Sequence, residues 1–492
     1  MGTKKKKQKE KGSTVLKKKL VDIYVFFMVG LFPLLMNHGF ADITKAKSDI
    51  FLIATVIFSC FSLAICLGDA DWSWISKKRN WLIYSAIVVI GVTTVFAWNS
   101  QYALTGECGR YHGAIVYWAY CAAALCIINF GSFNNIVLDV LIGTGFISGV
   151  IAVLNFYEID VLGTLEIIVD HQKHAFISTL GNINIFAAYL SIVTPVAVVK
   201  AINEENKKKR IFYYSAIVCM FAAMMACISD SVYITLIVIG AILPFFYLSD
   251  SEKRKRLVWM LVLFTGTLLT MNIMNQKLEY PLIYVDGILR HFSNRNLCIV
   301  LFIISIVVTI SCKIFDKTFA KLTEKQWRIL WGSLCGVFAV LFICFYASRA
   351  VFDGTWGSYR GIIWKEGWMF FTNQEPLRKI FGIGLDSVYP AFYEFWGAGE
   401  FAANKPALYD NVHNEYLQYL ITTGFVGVAL YLFIMGTILY NLFRKAKEND
   451  VVLAVAMAGV CYMAQAVVNI NMSSVTAIIM VLLFAGLTIN EK

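Results

Sequence analysis

The residues best suited to chemistry gather in the stretch 410–427, DNVHNEYLQYLITTGFVG, where the pair His413 and Asn414 is followed, after nine residues, by Gly424 and Gly427. Imidazole is the side chain whose ordinary titration range brackets neutral pH, so a histidine held neutral there accepts a proton. A helix starting at Asp410, with that carboxylate as its N-cap, puts His413 in the first turn, where the positive end of the helix dipole lowers an imidazole pKa. Gly424 suits the left-handed position that ends such a helix, and Gly427 lets the next apolar segment pack closely. A plain surface helix leading into a membrane span fits the same residues.

Cations suited to an anionic ligand lie elsewhere. SYRGIIWKEGWMFF sets Arg360, Trp364, Trp368 and Phe371 on one face of an interfacial helix. The aromatics would then sit at headgroup depth, and the guanidinium would offer phosphate a bidentate fork. In TGECGRYHGA, Arg110 and His112 stand between Gly109 and Gly113, where the cation either holds a phosphate or snorkels towards headgroups. STLGNINIFAAYL puts Asn182 and Asn184 at the start of an apolar run, as ligands for sugar hydroxyls or a diphosphate, or as helix caps. Glu158, Asp160, Asp170, His171 and His174 share one loop, but no further ligand is spaced to complete a metal shell. Asp69-Ala70-Asp71 has the form of a nucleotide-sugar metal motif without room for the nucleotide-binding unit it needs. No metal and no cofactor is expected.

The elements that must position these residues are membrane helices. A chain of 492 residues that is 59% hydrophobic and 15% charged, with mean hydropathy +0.66, is too apolar for a soluble protein. About fourteen runs long enough to cross a bilayer, from 20–37 to 474–489, predict an all-α polytopic membrane protein. The division is a polybasic arm at 1–19, eleven transmembrane helices over 20–347, a large extracytoplasmic loop at 348–423 and three more helices over 424–492. With the N-terminus inside, 30 of the 43 Lys and Arg fall on the cytoplasmic side, which favours both termini there. All six histidines then fall outside. The arm MGTKKKKQKEKGSTVLKKK favours an anionic inner leaflet rather than nucleic acid. The twelve cysteines form no disulfide or zinc pattern, and all but Cys108 lie in or at the ends of spans.

Taken together, three motifs resemble those of the O-antigen ligase and polymerase superfamily, bacterial membrane glycosyltransferases that use polyprenyl-diphosphate glycans. They are the His-Asn-nine residues-Gly-x-x-Gly pattern at 413–427, Gly-Asn-x-Asn-x-x-Ala at 181–187, and Arg360 with a Trp-containing helix before the turn Phe381-Gly382-Ile383-Gly384. The resemblance covers roughly residues 100–443 and is strongest in 359–430. It implies a GT-C-like architecture with the large loop capping the site, and a metal-independent, inverting transfer of glycan to an acceptor hydroxyl on the outer face of the bacterial cytoplasmic membrane. The acceptor is a glycan, lipid, wall polymer or protein, for ligase and polymerase share these motifs. His413 would be the base and Arg360 would hold the diphosphate, with Arg110, Asn182, Asn184, Arg349 and Asn414 binding substrate. The chain departs from the family at Ser229-Asp230-Ser231, where a basic motif is usual. An acid there repels a diphosphate unless Arg110, Arg290 or Arg349 compensates. The rival is a flippase or exporter of lipid-linked glycan, which needs cations lining a path across the membrane. These spans are nearly free of charge.

Overall fold

In lipid a chain can satisfy its backbone only internally, so apolar runs of this length fold as helices. The computed structural model describes residues 12–107, 109–278, 294–349, 356–397 and 410–489. The stretch 1–11, Cys108, Arg290, His291 and residues 398–409 lie outside the described residues, as do the side chains of His171 and Arg349. Every expected apolar run falls on a helix. Eight of the helices are long and apolar enough to cross a membrane, and four shorter apolar ones pack among them. The helix Glu324–Arg349 makes the environment plain: its apolar window has a mean hydropathy of 1.8 and is only 6% buried, a surface that water would not tolerate. The protein is a multi-pass membrane protein.

The helix Ile183–Asn203 is apolar all round and is buried along nearly its whole length at the centre of the bundle. Asp450–Gln465 packs along it, with Lys207–Ala226, Ser231–Ile242 and Ser473–Gly486 around it. Because these helices alternate in direction, the turns at 227–230 and 466–472 and the starts of Ile183–Asn203 and Glu415–Ala446 share one end of the bundle. The opposite end is fastened by ion pairs, among them Lys200–Asp139 at 3.0 Å, Lys255–Asp316 at 2.9 Å and Lys447–Glu324 at 3.0 Å.

Three local features set the first end. A two-residue antiparallel pair, Phe176–Ile177 with Gly181–Asn182, reverses the chain and delivers Asn182 to the start of the central helix. Residues 356–397 form helices Trp356–Thr372, Pro376–Phe381 and Val388–Trp396. They share a small core of their own, in which Ile363, Phe370, Phe371, Phe392, Val412 and Ile421 are buried. The aromatic face expected on the first of these helices is therefore divided: Trp368 is exposed, while Phe371 points into this core.

The third feature is a break at Gly424, where φ 66° and ψ −170° interrupt Glu415–Ala446. The Gly-x-Gly turn docks against this break. Ile383 and Gly384 donate their N–H groups to the carbonyls of Ile421 and Thr422, at 3.1 and 2.9 Å. A side chain at Gly424 would collide with the Ile380 backbone, and one at Gly382 with that of Thr422 and Thr423. The expected helix end at Gly424 is thus a bend within a longer element. Gly424→Ala should lose at least ~1–2 kcal/mol from the left-handed backbone alone, read as a lowered unfolding temperature in detergent. An unchanged midpoint would mean that the bend is not needed.

Candidate functional site

The helix that carries the His-Asn pair begins at Glu415, not Asp410. Asn414 is its N-cap, with its side-chain oxygen accepting from the N–H groups of Tyr416 and Leu417 at 3.1 and 3.0 Å. Asp410 lies too far upstream to cap, because Asn411 and Asn414 take the local backbone donors first. His413 therefore sits just outside the helix in left-handed backbone, φ 52°, and its N–H bonds the Asn411 side chain at 2.8 Å. Its Nδ1 is buried and has no hydrogen-bond partner among the described residues. The imidazole is held down to about 4, first by burial, then by the charges of Arg360 and Arg110, with Asp410 opposing. The lowering expected from sequence is present, but burial and two guanidiniums cause it, not a first-turn dipole.

Asp410 is instead held by Arg110 in an ion pair with one hydrogen bond, from Nη2. Nε lies 2.8 Å from Oδ2 and Nη2 lies 2.9 Å from Oδ1. The glycine-rich segment around Arg110 also holds an anion, and this anion belongs to the chain itself. Asp386, buried and in left-handed backbone, accepts the N–H groups of Arg110 at 2.6 Å and of His112 at 2.9 Å through one carboxylate oxygen. Side chains at Gly106 or Gly109 would strike this carboxylate. Burial pushes the Asp386 carboxyl up to about 6, against the pull of the two N–H groups and Arg110. His112 is driven down to about 3 by burial and bonds the Tyr120 hydroxyl at 2.8 Å, which makes it a neutral core residue.

Arg360, like Arg110, comes within electrostatic reach of His413. Its Nη1 donates to the Gly357 carbonyl at 2.8 Å and its Nη2 reaches the Asn184 side-chain oxygen at 3.4 Å, while Nε is buried without a hydrogen-bond partner among the described residues. Burial lowers its pKa and the charge of Asp230 raises it. Arg360 is thus a cation facing Asp230, where Arg110, Arg290 and Arg349 were expected. Of these, Arg110 is taken by Asp410. Asn184 is a junction: its side chain also accepts from Ser229 at 2.8 Å, and its carbonyl from Asn469 at 2.7 Å. Asn182 caps the central helix through the Asn184 N–H at 2.8 Å.

The fold therefore brings together Arg360, Asn184, Ser229 and Asp230, and brings Arg110 and Asp410 to the His413 loop, with His413 within electrostatic reach of both arginines. Asn182 and Asn414 stand beside them with their side-chain oxygens committed to caps. The helix Glu324–Arg349 ends at Arg349.

Sequence reading missed Asp386 and Asn469, and named Ser229 only as part of a departure from the family pattern. Asn469 belongs to an Asn-Ile-Asn tripeptide that repeats the one at 182–184, a signal that was available. Glu415 accepts from the Tyr431 and Tyr462 hydroxyls at 2.8 and 3.0 Å, tying the two halves of the bent helix to its neighbour. Among the described residues no group of three His, Cys, Asp or Glu is placed to hold a metal ion.

A buried imidazole with an unpartnered nitrogen, flanked by two guanidiniums at one end of a membrane bundle, suits proton removal beside a multiply charged anion. A family model described as O-Antigen ligase matches residues 215–432, a stretch that includes Ser229, Asp230, Arg360, both glycine motifs and His413. No curated protein matches the chain.

Proposed function

Residues 215–432 place this chain in the O-antigen ligase family, and from that premise we propose that it transfers a glycan from a polyprenyl-diphosphate carrier to an acceptor hydroxyl on the outer face of the bacterial cytoplasmic membrane. The acceptor oxygen attacks the anomeric carbon as its proton passes to His413. The bond from that carbon to the diphosphate breaks on the opposite side, so the configuration inverts and the electron pair leaves on the diphosphate. Arg360, whose buried Nε has no partner among the described residues, takes up that charge. Asn184 holds Arg360 in place and, with Asn182 and Asn414, lines the approach for sugar hydroxyls. Arg349 is a second cation for the carrier. Because guanidinium neutralises the diphosphate, the reaction needs no metal.

The observation that carries this reading is the pairing of a neutral, enclosed His413 with Arg360 and Arg110. In this arrangement both termini are cytoplasmic, the helices form a GT-C-like bundle of about fourteen spans, and the 348–423 segment caps the site. The test is where lipid-linked glycan accumulates in cells carrying His413→Ala. A dead transferase leaves it on the outer face of the membrane. Accumulation on the inner face would make the protein a flippase.

A further inference from the structure

The glycine-rich loop at 106–113 closes around a carboxylate from 276 residues away in the sequence, and its arginine then grips a second carboxylate beside His413. We propose that Asp386 is a positioning residue for His413, acting through Arg110 and Asp410. This rests on the reading of His413 as the base.

The relay can be followed bond by bond. Asp386 Oδ2 fixes the backbone of Arg110 and His112 from one point. Gly106 and Gly109 leave room for the loop to wrap that closely. Arg110 is thereby presented so that its Nη2 donates to one oxygen of Asp410 while its Nε lies 2.8 Å from the other, an ion pair that ties the loop to the His413 segment. Asp410 is followed by Asn411, whose side chain holds the His413 N–H. His413 needs this support because its backbone is left-handed and its ring makes no hydrogen bond through Nδ1 among the described residues. Arg110 accordingly works on the protein's own anions, and the diphosphate falls to Arg360.

Small displacements of a general base cost turnover much more than they cost donor affinity, on the order of 10²-fold for about 1 Å. With purified protein and a lipid-diphosphate-linked glycan, Asp386→Ala should lower kcat by about that factor while donor Kd stays within about threefold. Asp386→Asn keeps an acceptor oxygen for both N–H groups and should retain most of the turnover. Asp410→Ala, at a half-exposed position, should reproduce the kcat loss, and the double variant should be no worse than the poorer single variant. If Asp386→Ala does not fold, Asp410→Ala carries the test, since the relay passes through it. Wild-type turnover in Asp410→Ala, or losses that multiply in the double variant, would overturn the relay while leaving His413 as base. Wild-type turnover in His413→Ala would instead overturn the reading on which the relay depends.

Discussion

His413→Ala should bind the lipid-linked donor nearly as well as the wild type and turn it over about 10²- to 10⁴-fold more slowly, the span expected for loss of a positioned general base. The imidazole makes no contact that would hold a diphosphate: it stays neutral, and a neutral ring adds little to binding an anion. In the proposed reaction it accepts a proton as the acceptor oxygen attacks. The pH profile gives a second reading of the same group. Because the folded imidazole is held to about 4, it is unprotonated at pH 6 and gains its proton only as the pH falls through about 4. Activity should therefore persist well below the ordinary imidazole value of about 6.5 and fall near 4. An acid limb near 6.5 would mean that His413 is exposed to solvent during the reaction, or that another group titrates.

Arg360→Ala should damage both steps, weakening donor affinity about tenfold or more through loss of a charge-assisted hydrogen bond and lowering turnover about 10²- to 10³-fold through loss of leaving-group stabilisation. Arg360→Lys should recover part of each, since an ammonium keeps the charge and loses the planar fork. Removing the guanidinium also takes away one of the two charges that depress His413. The acid limb of Arg360→Ala should accordingly move to higher pH. Full recovery by lysine would show that charge alone matters at this position.

The membrane class and the helices were legible because hydropathy is a local property: each apolar run fell on a helix, from Gly12–Phe26 to Ser473–Gly486. His413, Arg360 and the two glycine motifs were legible too, as residue types at fixed spacing. What the sequence hid was partnership over long separations. Asp386 and Arg110 meet across 276 residues, and nothing in either segment announces the other. The Arg110 loop read as a cradle for a foreign phosphate because its glycines say only that an anion can come close; the fold supplies Asp386. The start of the helix was misplaced because Asp410, Asn411 and Asn414 are all competent caps. Only their competition in three dimensions leaves Asn414 at the cap and Asp410 with Arg110. The departure at Asp230 looked like a defect in an anion site. In the fold its charge acts on Arg360, raising the guanidinium's pKa against burial.

In the proposed transfer arginine, not a metal, carries the charge of the leaving diphosphate. This is tested most directly by incubating the purified protein with lipid-diphosphate-linked glycan and acceptor in EDTA, and counting polyprenyl diphosphate released against glycan attached. One diphosphate should be released for each glycan transferred, at a rate unaffected by the chelator and lost in His413→Ala. Activity that vanishes in EDTA and returns with a divalent cation would contradict the role given to Arg360, and glycan that crosses the bilayer still attached to its carrier would contradict the transfer itself.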